Sequence, residues 1–237
     1  MIKLLLLLLS GAKLGKIAIS AGSMLLSLVI YGSIFGWAYG VGLIVMIFVH
    51  EMGHYLAARQ RGLEVGLPAF IPFVGAWIQL KDKLPNAETE AYVGIAGPAV
   101  GSAAAFLCYF WAQYYHDNAM LAVAYAGFMI NLFNLLPISP LDGGRITTVL
   151  SPKIWIVGVP LLIGLFVINP SPILIIVGLL ALPKAWAAWR GRLEESPDYW
   201  QVSASERLQY GAAYIVLIMG LGFMSYRVHG MLSGVSS

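Results

Sequence analysis

Seven apolar stretches, near residues 17–37, 41–58, 91–112, 119–136, 154–168, 172–189 and 208–226, are separated by short polar breaks. That pattern constrains the chain more than any other feature. Charged residues make up 11% of the 237, against about 25% in an ordinary soluble domain. The AVILMFWYC set makes up 59%, and the mean hydropathy is +0.81. A water-soluble globule needs a polar skin, and these residues cannot build one. A soluble enzyme and an intrinsically disordered chain are excluded. With no basic patch, so is a nucleic-acid binder. The single cysteine, Cys108, cannot form an intrachain disulfide and reads as a small packing residue.

The expected fold is an all-α polytopic membrane protein of about six to seven transmembrane helices. Residues 1–237 form one domain: an N-terminal segment 1–16, a core 37–148 and C-terminal helices 154–226. Pro160, Pro170, Pro172 and Pro183 interrupt the fifth and sixth stretches, which fits a hairpin of short or kinked helices. Met1–Lys16 has a short Leu run, Leu4–Leu9, flanked by Lys3, Lys13 and Lys16. An uncleaved interfacial helix explains it better than a secretory leader does. Of the 14 basic residues, 13 fall on one side of this topology, and Arg227 is the exception. The positive-inside rule makes that side cytoplasmic, with the N-terminus inside and the C-terminus outside. The setting is a lipid bilayer, expected to be the cell membrane.

His50-Glu51-Met52-Gly53-His54 lies inside the second apolar stretch. On a helix, positions i and i+4 share a face, so both imidazoles can reach one metal. Glu51 is one residue round from His50 and can take a proton from water beside that metal without being a ligand. Two His and a Glu are costly in hydrocarbon unless they are functional. His50 lies nine residues before Arg59, which is about 14 Å of helix. It therefore sits near the middle of a hydrocarbon core about 30 Å thick, and water must reach it through a cavity open to the cytoplasm.

Catalytic zinc takes three protein groups and keeps a position for water. His116, Asp117 and His229 fall on the far side of the membrane. Glu194, Glu195, Asp198 and Glu206 lie in what reads as a solvated connector. Asp142 remains, in Asn134-Leu135-Leu136-Pro137-Ile138-Ser139-Pro140-Leu141-Asp142-Gly143-Gly144-Arg145. The prolines end the fourth helix, and the double Gly lets the backbone turn sharply. Arg145, three residues on, implies a shallower depth than His50. The broken segment must dip back into the membrane, or Arg145 must snorkel.

These two motifs together resemble the site-2 protease family of intramembrane zinc metalloproteases. HExxH and N-x-x-P-x-x-x-L-D-G are both met in full and in order. The resemblance extends to Gly94-Ile95-Ala96-Gly97-Pro98 and to Phe70–Trp77, about residues 37–148 in all. It implies that His50, His54 and Asp142 ligate one Zn2+ per chain and that Glu51 is the general base. It further implies that Asn134 helps to hold the scissile carbonyl or the water. From the residues alone, Asn134 could equally make an interhelical hydrogen bond, and Asn131, one turn earlier, reads as structural. Many members carry an Asn shortly after the Gly-Pro of the third span. Gly101 stands there in this chain, and with Gly97 it forms a small-x-x-x-small pair suited to close helix packing. The chain has no room for the PDZ or nucleotide-sensing modules of other members.

Leu67–Leu80 is too broken for a helix and too apolar for an exposed loop. A re-entrant, strand-like hairpin between the second and third spans fits, and its edge can pair with an extended substrate. A loop that only seals the bundle is the alternative. The expected activity is zinc-dependent endoproteolysis of a membrane-anchored protein, within or near the cytoplasmic half of a transmembrane segment. A zinc or divalent-metal transporter is the main alternative, and it should show further His, Asp or Glu along other spans. Another HExxH protease type would need Glu194 and Asp198 on one helix, which Pro197 opposes. The substrate and the oligomeric state are not legible in the sequence.

Overall fold

The computed structural model describes residues 2–72, 75–78, 84–193 and 195–235. Its helices are α1 (Ile2–Phe35), α2 (Trp37–Gln60), α3 (Ala87–Tyr115), α4 (Asn118–Asn134), α5 (Asp142–Thr148), α6 (Trp155–Ile168), α7 (Pro172–Arg190) and α8 (Ala204–Val235). Two short strands, β1 (Ala69–Ile71) and β2 (Gly75–Trp77), pair antiparallel with Phe70 opposite Ala76. The chain is an all-α membrane protein. Among the described residues, five apolar stretches, within α1, α2, α3, α7 and α8, are long enough to cross a bilayer, and α4 and α6 are shorter apolar helices.

Each apolar stretch read from the sequence coincides with a helix. Residues 2–16 form one continuous helix with the first stretch rather than a separate segment, since nothing between them breaks the helical run. Pro160 and Pro183 sit inside α6 and α7, and the two helices are joined by a short break at 169–171. The helix ends follow local chemistry. Gly36, at φ 90°, makes the turn between α1 and α2, a conformation that costs other residues more. The Asn86 side chain accepts from the N–H of Thr89 at 2.8 Å to cap α3, and Asp117 accepts from Ala119 and Met120 at 3.0 Å to cap α4.

α3 is the centre of the bundle. Ala91, Gly94, Gly97, Gly101 and Ala105 recur at helical spacing on its buried face, and their small size lets α2, α4 and α5 approach closely. α5 was not expected as a helix. The chain doubles back after α4, and Gly143 lies so close to the end of α4 that a Cβ there would sit 2.2 Å from the Leu135 carbonyl oxygen. The turn is braced from outside: the Trp155 indole N–H donates to the Gly144 carbonyl at 2.9 Å, and the Tyr214 hydroxyl of α8 donates to the Leu135 carbonyl.

The C-terminal end of α2 and the N-terminal ends of α3 and α8 are clasped together. Arg61 makes a two-pronged ion pair with Glu88 at 2.9 and 2.6 Å and lies over the Tyr92 ring. Tyr210 donates to the same Glu88 at 2.5 Å. The connector 191–203 is not wholly solvated as expected. Its 3-10 turn, Pro197–Trp200, buries Tyr199, whose hydroxyl donates to Glu90. Burial and the adjacent carboxylate push that phenol well above the usual tyrosine range.

Candidate metal centre

α2 carries His50 and His54 one turn apart, and both are buried. α5 opens with Asp142, which is also buried because the preceding turn folds it back against α2 and α3. The fold-back resolves the depth conflict with Arg145, which is half-buried and packs its Cβ against Gly94. His50 Nε2, His54 Nε2 and Asp142 Oδ2 form a triangle with all three sides 3.1 Å. Bonds of about 2.0–2.1 Å at tetrahedral angles would place such atoms about 3.3 Å apart. Among the described residues these are the one group of three His, Cys, Asp or Glu side chains close enough to share an ion.

The far side of each imidazole shows what the near side must be. His54 Nδ1 lies 2.7 Å from the Val93 carbonyl oxygen, which can only accept. His50 Nδ1 lies 2.8 Å from Asn131 Oδ1. The Asn131 amide is oriented by its own donation, Nδ2 to the Gly127 carbonyl at 2.7 Å, so its oxygen is the atom that faces His50. Both Nδ1 atoms therefore carry a proton, and both Nε2 atoms are turned towards the Asp142 carboxylate, where each neutral ring presents a lone pair. Three electron-rich atoms at this spacing repel one another unless a cation lies between them. Two imidazoles and one carboxylate suit zinc, so the residues fit the expected metal.

Glu51 is 8% exposed and lies outside the ligand group. Asn134 is half-buried at the end of α4, and its amide donates to the Ile130 carbonyl one turn back at 3.1 Å. The amide that meets His50 is that of Asn131, which the sequence analysis read as structural. A buried amide in the middle of an apolar helix was the available signal. Gly97 leaves room for His54: a Cβ there would meet Nε2 at 2.2 Å.

The remaining candidates lie elsewhere. His116 and Asp117 form the turn at the opposite end of α3, and the His229 ring packs against Tyr125 at 5.7 Å. Asp198 accepts from Gln201 in the 3-10 turn, Glu206 accepts from Ser203, and Glu194 lies outside the described residues. Of the hairpin, Phe73, Val74, Gln79 and Leu80 lie outside the described residues, as do Lys81 and Lys83.

Residues 38–117 match the profile of Peptidase family M50. "Zinc metalloprotease MJ0392" of Methanocaldococcus jannaschii is 30% identical over 126 residues, 51% of this chain and 36% of that protein. "Probable zinc metalloprotease EGY1, chloroplastic" of Arabidopsis thaliana is 41% identical over 71 residues, 28% of this chain and 13% of that protein. The chain thus spans well under two thirds of the length of either relative. A solved structure, "Site-2 Protease from Methanocaldococcus jannaschii", is 25% identical, with 73% of this chain and 89% of that chain covered and a TM-score of 0.48.

Proposed function

We propose that this chain, which matches peptidase family M50 over residues 38–117, is a member of that family, the family of the site-2 proteases, and a zinc-dependent intramembrane endopeptidase. It cuts membrane-anchored proteins within or near the cytoplasmic half of a transmembrane segment. The observation that carries this reading is the 3.1 Å triangle of His50, His54 and Asp142, with both imidazole lone pairs directed into it. A transporter would need further ligating side chains along its path, and the described residues offer no second group of three.

His50, His54 and Asp142 hold the ion. Zinc held there supplies a Lewis acid that brings the pKa of a water towards neutrality. Glu51 takes the proton of the attacking water and delivers it to the amine nitrogen as the peptide bond breaks. Asn134 offers an amide to the scissile carbonyl. Seven helices, α1–α4 and α6–α8, cross the membrane of the cell, with the N-terminus, Arg59, Arg61 and the α7–α8 connector in the cytoplasm.

A helical substrate hides its peptide bonds, so it must be extended before it can be cut. The β1–β2 hairpin re-enters the membrane and provides the edge for this. The Phe70 N–H donates to Ser23 Oγ of α1 at 3.1 Å, and the Ser20 hydroxyl donates to the Pro68 carbonyl. Helix α1 thereby occupies the outer edge of β1. Phe70 and Ala76 are then a non-hydrogen-bonded pair, which turns the Ala76 N–H and C=O to the outer edge of β2. An extended substrate segment adds there.

Co-expression of a reporter membrane helix with the wild type and with Glu51→Gln tests the proposal. The wild type is expected to contain zinc and yield a shortened product, and Glu51→Gln to keep zinc and yield none. The same product from both, or a wild type purified without zinc, overturns it.

A further inference from the structure

The geometry points to Asn131 as the positioning residue for His50, with Gly101 of α3 as the seat that allows it. This rests on the reading of His50 as a zinc ligand. The two imidazoles are oriented by different kinds of partner. His54 leans on a backbone carbonyl, Val93, which α3 presents whatever side chain stands there. His50 leans on a side chain from another helix, 81 residues away in sequence.

Asn131 is 1% exposed and has no freedom to do anything else. Its Nδ2 donates back to Gly127 and its Oδ1 accepts from His50, so the amide plane is fixed at both ends. The space for that plane comes from α3. An ideal Cβ on Gly101 would lie 2.4 Å from Asn131 Oδ1 and 2.8 Å from Nδ2. Under 3.0 Å something must shift, and the amide is the mobile partner. Any side chain at 101 would therefore move the acceptor off His50 Nδ1.

The consequence for the metal is direct. An acceptor at Nδ1 holds the proton there and leaves the Nε2 lone pair for the ion. It also fixes the ring's rotation, so the lone pair points at the vertex shared with His54 and Asp142. Without it the ring samples other angles and the other tautomer. Loss of such a partner weakens metal binding by about 10–100-fold.

The test is zinc affinity of the purified full chain in detergent, by competition with a chelator, together with the visible absorption of the cobalt-substituted protein. Asn131→Ala is expected to weaken zinc by about 10–100-fold and to alter the cobalt spectrum, with little change in the melting of the metal-free protein. Asn131→Asp keeps an oxygen acceptor for His50 but loses the donation to the Gly127 carbonyl, and is expected to recover part of the affinity and move the spectrum back towards the wild type. Gly101→Ala acts in the same direction as Asn131→Ala. If its effect passes through the amide, the double variant binds zinc no more than about twofold worse than Asn131→Ala alone. A wild type without zinc would overturn the reading of the site itself. A wild type that binds zinc, with Asn131→Ala binding it equally well, overturns this inference alone. So do losses that multiply in the double variant.

Discussion

The α2–α5 assembly and the α6–α7 hairpin are both built largely from apolar helices but are held by different means. In the first, small residues let backbones approach, and both imidazoles of the candidate metal centre have a partner behind them. Gly53, Ala57 and Ala58 of α2 are buried, as are Gly94, Gly97 and Gly101 of α3. In the second there is no charged residue from Ile154 to Pro183. The hairpin exposes Ile168 at 82%, Val167 at 74% and Leu179 at 65%, and encloses an apolar recess of about 270 Å³ lined by Ile138, Leu162 and Leu174 among others. Lipid tails are as apolar as leucine, so hydrophobicity alone does not drive helices together in a bilayer. Close packing and polar partners do. The first region has both along its length. The second has dispersion contacts along the α6–α7 seam, and has close packing and a polar partner only at one end, where Gly158 and Trp155 of α6 meet the turn before and within α5. Equal substitutions away from that end should therefore cost the two regions very different amounts.

The largest effect is expected from Asp142→Ala. It removes one corner of the ligand triangle and leaves two imidazoles that the ion can exchange from. Zinc content after dialysis should fall to background, and cleavage of the reporter helix by at least a thousandfold, in line with the loss of an essential catalytic group. Retained zinc would show that Asp142 is only a neighbour of the site.

A matched pair of glycine substitutions is the next step down and divides the two regions most cleanly. A Cβ at Gly97 would sit 2.2 Å from His54 Nε2, whereas at Gly178 of α7 the nearest atom is Leu162 Cδ2 at 3.4 Å, an ordinary contact. Gly97→Ala should weaken zinc by about 10–100-fold, the scale set for disturbed ligand orientation. Gly178→Ala should leave zinc affinity unchanged and melting within a few degrees. Equal losses from both would erase the distinction between the regions.

The contrast also marks what the sequence could show. Helices read well because hydrocarbon demands long apolar runs, and the i, i+4 spacing of His50 and His54 already places them on one face. Asp142 was singled out by elimination, and the structure brings it within 3.1 Å of both imidazoles. Contacts between distant elements were not. α5 is a seven-residue helix with two glycines, stable only where Trp155 and Tyr214 brace it. Asn131 and Asn134 share a face of α4, and only the position of α2 decides which amide meets His50. The single helix from Ile2 onward was hidden by the lysines, which suggested a separate interfacial piece.

Trp155 joins the two regions, and its substitution should cost less than the Gly97 change. It is the first residue of α6, yet its indole N–H serves the Gly144 carbonyl in the turn that carries Asp142. Trp155→Phe keeps most of the apolar bulk and removes one of three side-chain donors from the Gly144 carbonyl, which Thr147 and Thr148 also serve, for about 1 kcal/mol. In detergent the melting temperature should fall by several degrees and zinc affinity by a few-fold. A variant as stable as the wild type would mean that the hairpin contributes nothing to the ligand turn.

Tyr199→Phe tests the opposite end of the hairpin and should have the smallest effect. The connector after α7 is tied to the first turn of α3 by the Tyr199 hydroxyl on Glu90. Loss of that bond should cost about 0.5–1.5 kcal/mol and leave zinc affinity untouched. Its pH dependence has a definite sign. The phenol's pKa is raised in the folded chain by burial and by the Glu90 carboxylate, so the neutral form is the one the fold favours. A raised pKa contributes stability that is fully present below the unfolded value, about 10, and is lost as pH climbs above it. The gap in melting temperature between the wild type and Tyr199→Phe should therefore be the same at pH 7 and pH 9 and narrow only above about pH 10. A gap that narrows on acidification instead would place the sensitive group on Glu90 and make the carboxylate, not the phenol, the partner whose charge holds the hairpin's end to α3.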